Sequence, residues 1–232
     1  MSKLNFNFFI SKKSKWEYFL YIFALALIGL LIHILLSGQA FIHYSPLNTT
    51  ELKTAFEMYK NTALPTKISD FLGIFWGNCR TMLILILLPI VVYWCIILIF
   101  YVNNRIIVLS PRIVKPLLYI SMIFFGYNSF TRLYPRYYMY PFTIFYSHYV
   151  YHGIIEILTF FICAVWSLSN LDKMDDDMRV KPPLSWLSRV KNSFINSIYP
   201  IIFGLIFLAI AAYIETQITP YLILNSYIPY IG

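Results

Sequence analysis

Few side chains in this sequence could do chemistry, and most of them lie inside apolar stretches. His148, His152 and Glu156 recur every fourth residue, so one helix would stack all three on a single face. Two histidines and a carboxylate form a ligand set for a metal ion. The same groups could relay protons or bind a cation for transport. Glu215 closes a second apolar run, while Asn78 and Arg80 open a third. An ion pair from Arg80 to Glu156 or Glu215, with His152 and Asn78 as hydrogen-bond partners, would fix how these helices pack, because apolar contact alone discriminates little in lipid. Nucleophilic catalysis has no foothold: there is no GxSxG, no HExxH and no pair of aspartates within a span. The expectation is a protein that is not an enzyme and needs no cofactor.

Composition dictates the elements that must position these groups. Of 232 residues, 59% are hydrophobic and 12% charged, against about 25% charged in soluble domains. The 20 Phe, 20 Tyr and 5 Trp suit a chain with rings at the membrane–water boundary. A polytopic all-α membrane protein follows. Its net charge of +8 then reads as basic cytoplasmic loops rather than a nucleic-acid surface. Cys79, Cys95 and Cys163 have neither disulfide nor zinc spacing and read as small buried hydrophobes. Asp172, Asp175, Asp176 and Asp177 lack the turn glycine and closing glutamate of a calcium loop.

Five spans, with room for a sixth, are expected at about residues 16–37, 81–102, 113–130, 141–169 and 193–214, each set against a hydrocarbon layer of about 30 Å. The third has an apolar stretch of only 14 residues, Leu117 to Phe130, which is short. The stretch 137–170 is too long for one span, so a broken helix is expected at His152-Gly153. Residues 1–15 form a cytoplasmic N-terminus with no cleavage site, and 16–220 a single membrane domain. Between the first two spans, Leu52, Ala55, Phe56 and Tyr59 sit at helical spacing, marking an outer amphipathic segment over about 49–60. Residues 171–192 form a cytoplasmic loop and 221–232 an interfacial tail. With the N-terminus inside, twelve of the eighteen Lys and Arg fall on the cytoplasmic side, which favours N-in and C-out.

The polar residues also carry a resemblance. His152-Gly153-Ile154-Ile155-Glu156 before an apolar helix resembles the His-Gly-x-x-Glu signature of the stage II sporulation protein M family, with Tyr151 where a proline usually stands. The run Ala211 to Pro220, with Ile214-Glu215 and Thr219-Pro220, is similar to that family's closing motif. Gly77-Asn78 resembles its Asn-Asn opening, and Asn104 its mid-chain Asn-Gly, with Arg105 replacing the glycine. The resemblance covers roughly residues 70–220 and identifies a divergent member. It implies an integral membrane protein without demonstrated catalytic chemistry. Relatives work with cell-wall remodelling proteins during engulfment, and others are encoded among bacteriocin production, export and immunity genes.

The expected role is therefore a membrane partner or scaffold subunit of a cell-envelope assembly in the bacterial plasma membrane. Expected partners are the bilayer, a cell-wall hydrolase or an ABC-type ATP-binding subunit, and no nucleic acid. The alternative is a subunit that exports a hydrophobic peptide or confers immunity to it, motivated by the Tyr-rich stretch Tyr127 to Tyr151. A third is an intramembrane transporter or enzyme that depends on a metal or on protons.

Overall fold

Long apolar runs cannot leave backbone N–H and C=O groups unpaired in lipid, so they must be helical. In the computed structural model, which describes residues 15–37, 45–63, 67–99, 104–180 and 186–231, every regular element is a helix. These are α1 (Lys15–Ser37), α2 (Thr49–Ala63), α3 (Ile68–Ile99), α4 (Asn104–Met139), α5 (Phe142–Val180), α6 (Trp186–Tyr213) and α7 (Thr219–Ile231), with a π turn at Ile214–Ile218 between the last two. The protein is a polytopic all-α membrane protein. Four stretches are long and apolar enough to cross: Trp16–Leu36, Ile68–Cys95, Phe142–Met174 and Val190–Ile231. The fifth expected span lies in α4, which is 36 residues long but has Arg105, Arg112 and Lys115 towards one end and Arg132 and Arg136 towards the other.

α4 runs beside α1 because glycine lets the two backbones touch. A Cβ on Gly29 would run into the Ile123 carbonyl, and one on Gly126 into that of Ala26. Such close approach is how small residues bind helices together in lipid. Farther along, His33 meets Tyr127 edge to face at 4.7 Å. The main core draws on α1 (Ile22, Leu25), α3 (Met82, Ile86, Tyr93), α4 (Leu118, Met122), α5 (Phe160, Ala164) and α6 (Leu208).

A second, smaller core lies at one end of the bundle. Leu52 of α2, Ile144 of α5 and Ile223 and Tyr227 of α7 are buried together, with Phe56 and Tyr59 against them. The amphipathic stripe of α2 is thus spent on protein. Asn48 and Glu51 start this helix reciprocally: the Asn48 amide donates to Glu51 Oε2 at 2.8 Å, and the Glu51 amide to Asn48 Oδ1 at 2.9 Å. The Leu47 amide donates to the Met139 carbonyl at 3.0 Å, pinning this cap to the end of α4.

Several boundaries differ from the expected ones. α5 runs unbroken for 39 residues through Gly153; a single glycine costs a helix only about 1 kcal/mol, which neighbouring helices offset. The chain breaks earlier, at Tyr140-Pro141, where a proline cannot continue the ladder. α3 begins at Ile68, thirteen residues before the expected span, and residues 100–102 lie outside the described set. The loop expected over 171–192 is helical to Val180 and again from Trp186, with 181–185 outside the described residues, as is nearly all of the expected 1–15 terminus. The tail expected at the interface is α7, packed through Ile223 and Tyr227 into the second core.

Candidate functional site

α5 carries two polar clusters sixteen residues apart, about 24 Å along the axis. Near its C-terminal end Asp172 pairs with Lys115 of α4. Tyr18 of α1 donates its hydroxyl to the same carboxylate at 2.5 Å. One cation and one phenol satisfy one anion, so this is a three-helix clamp. The Ser193 hydroxyl, donating to Asn170 Oδ1 at 3.3 Å, ties α6 to the same end.

The second cluster is built differently. Asn78 of α3 donates its side-chain amide to Glu156 Oε1. Glu215, from the π turn, comes to the face of α5 that carries Glu156, because it meets His152 one turn earlier on that helix. His152 Nε2 faces Glu215 Oε1 at 3.9 Å, beyond hydrogen-bond length. His152 is buried, and its Nδ1 has no partner among the described residues. The π turn positions Glu215: Pro220 has no N–H to offer Thr216, and the ladder widens so that the Thr219 amide reaches the Ile214 carbonyl. Single π turns concentrate at functional sites.

The second core roofs this cluster. Tyr59 of α2 stands 5.4 Å, ring to ring, from His148. Burial pushes the Tyr59 hydroxyl up to about 12, and the negative charge of Glu215 adds to that, so the phenol stays a neutral donor at any physiological pH. His148 Nδ1 donates to the Ile144 carbonyl at 3.2 Å. Arg136, exposed near the end of α4, donates to the Tyr149 hydroxyl and stacks on its ring. A cavity of about 320 Å³ opens here, lined by Tyr59, Arg136, Tyr140, Phe145, His148 and Tyr149.

Of the residues singled out in the sequence, Asn78, His152, Glu156 and Glu215 meet. Arg80 does not: it is exposed and pairs with neither glutamate among the described residues. Two residues past Asn78 on a helix, it points some 200° away from the face that meets Glu156. The expected His148, His152 and Glu156 metal set is also corrected. Along a helix His148 and Glu156 stand about 12 Å apart, whereas ligands of one zinc ion sit about 2 Å from it. No group of three or more His, Cys, Asp or Glu among the described residues could hold a metal ion. Sequence reasoning missed Tyr59, Arg136 and the Lys115–Asp172 clamp. The stripe of α2 was a readable signal for Tyr59, but nothing in the sequence named the surface it covers.

A family profile described as stage II sporulation protein M matches residues 19–220. That range takes in the Glu156 cluster, the α2 roof and all of the Asp172 clamp except Tyr18. No curated protein and no solved structure matches the chain.

Proposed function

Because the chain belongs to the stage II sporulation protein M family, we propose that it acts as a non-catalytic membrane partner, a scaffold subunit of a cell-envelope assembly. The observation that carries this reading is the cap. α2, α7 and the adjoining ends of α4 and α5 form a small body with its own core at one end of the bundle, and its flank exposes Met58, Phe142, Tyr146, Tyr151 and Tyr221. Aromatic anchors of that kind suit a protein partner at the membrane surface. The basic bias of the loops supports a cytoplasmic N-terminus in a bacterial plasma membrane. Contact between α2, which follows the first span, and the C-terminal α7 supports a reading in which the cap and the C-terminus lie together on the opposite side.

Cross-linking in intact membranes followed by purification tests this. The expected product is a stable complex with a cell-wall hydrolase or an ATP-binding subunit, cross-linked through the cap. A protein that purifies alone and moves ions in liposomes would overturn it. The aromatic cavity under Tyr59 supports a second reading, recognition of a hydrophobic peptide for export or immunity. On that reading deletion sensitises cells to one peptide and leaves wall remodelling intact.

A further inference from the structure

The Asp172 clamp closes its own charge balance, and the Glu156 cluster does not. Both carboxylates of this cluster sit within apolar spans, and no Lys or Arg among the described residues pairs with either. Among the described residues Glu156 accepts from Asn78 alone, and His152 is too far from Glu215 to bond it. An unpaired carboxylate in such surroundings neutralises rather than stay charged. Two near each other cannot both ionise without repulsion.

We propose that Glu156 and Glu215 form a carboxyl pair that binds one proton at neutral pH, drawn from the aqueous side roofed by α2. The proton belongs to the pair rather than to either residue. Two buried polar atoms lack partners among the described residues: Nδ1 of His152, whose residue is 8% exposed and whose Nε2 faces Glu215, and Oγ1 of Thr219, at 3%, four residues past Glu215. The site can therefore take in one more hydrogen-bonding group. No group of three or more His, Cys, Asp or Glu among the described residues could hold a metal ion, whereas a proton needs a single oxygen.

Access runs along named groups. The Glu215 side chain is 32% exposed. Tyr59 feels its charge, His148 lies against Tyr59, and the cavity beyond them ends at exposed Arg136. The polar and charged groups around the pair are Asn78 from α3, His152 and the more distant His148 from α5, Tyr59 from α2, Arg136 from α4 and Thr219 from α7. Lys60 of α2 is held over Phe56, and His33 of α1 is turned to Tyr127. The cation of this set, Arg136, stands at the mouth and not at the pair.

Infrared difference spectroscopy of the full chain in liposomes tests the proposal. At neutral pH the wild type should show the C=O stretch of a protonated carboxylic acid, shifted in D2O and lost as the pH is raised. Glu156→Gln or Glu215→Gln should abolish the band, and exposed Glu57→Gln should leave it whole. Absence of the band in the wild type at neutral pH overturns the proposal, and that reading needs no variant to fold. So does a band that survives in both glutamine variants, or one that appears only when sodium is withdrawn, which would mean a bound cation.

Discussion

Asp172 and Glu156 stand on one helix, and both are acidic side chains drawn into a helical bundle. Around Asp172 the neighbouring helices supply a cation from α4 and a phenol from α1. Around Glu156 they supply an amide from α3 and a second carboxylate from the π turn. A carboxylate with its cation in place has one favourable protonation state and acts as a fastener. A carboxylate facing another carboxylate has two states close in free energy, and so can respond to something. The lesson is that depth in the membrane does not by itself mark a functional acid; the neighbour that is missing does.

The largest expected effect breaks the fastener. Asp172→Asn leaves the Lys115 ammonium, 16% exposed, without its counter-charge, and should cost about 3 kcal/mol, read as a fall in thermal midpoint in detergent. Glu156→Gln, by contrast, replaces a carboxyl that shares a proton with a neutral isostere, and should stay within about 1 kcal/mol. Equal losses at the two sites would erase the distinction between them.

Next comes the seam that aligns the fastener. Gly126→Leu puts a side chain into the Ala26 backbone and should cost about 2 kcal/mol, as overpacking does. By separating α1 from α4 it should also weaken the Tyr18–Asp172 bond, while the Asn78–Glu156 contact, which involves neither helix, stays intact. Cysteine cross-linking across each cluster separates the two outcomes. At the other cluster Asn78→Leu removes the amide given to Glu156. A loss of about 1 to 2 kcal/mol is expected, together with a carboxylic-acid band that persists to higher pH.

These two clusters were unequally legible in the sequence. The apolar runs announced the membrane and the all-α fold outright, since lipid leaves the backbone no other choice. The glutamates stood out because charge within such a run is costly. Which groups would meet them was harder to read. Asp172 looked like a loop residue and Lys115 sat at the edge of an expected span, because the helices that carry them overrun the apolar segments, α5 reaching Val180 and α4 starting at Asn104. Gly153 looked like a break because glycine weakens an isolated helix, whereas burial of α5 before it at Ile144 and after it at Phe160 holds the helix. The π turn was hidden because Pro220 is compatible with either a stop or a widened turn, and only the helix beyond it decides.

The roof supplies a smaller test. The Tyr59 hydroxyl is held above its ordinary value, so the folded cap prefers the protonated phenol. That preference is fully present below pH 10 and is lost as the pH rises from there to about 12. Cap stability, followed by amide exchange in α2, should therefore decline over that window, and Tyr59→Phe should flatten the decline.

The smallest expected effect is at Arg80, and it bears most directly on how sequence and structure divide the work. Charge and position in the chain make Arg80 the natural counter-ion for Glu156 or Glu215. Helix geometry turns it away, because the face that delivers Asn78 to Glu156 excludes the residue two places on. Arg80 is exposed, so Arg80→Gln should change stability by no more than about 0.5 kcal/mol and leave the carboxylic-acid band where it is. A loss above 1 kcal/mol, or a band that strengthens in the variant, would mean that Arg80 does reach the glutamates. The cluster would then be a second fastener of the Asp172 kind, with its cation arriving from α3 instead of α4.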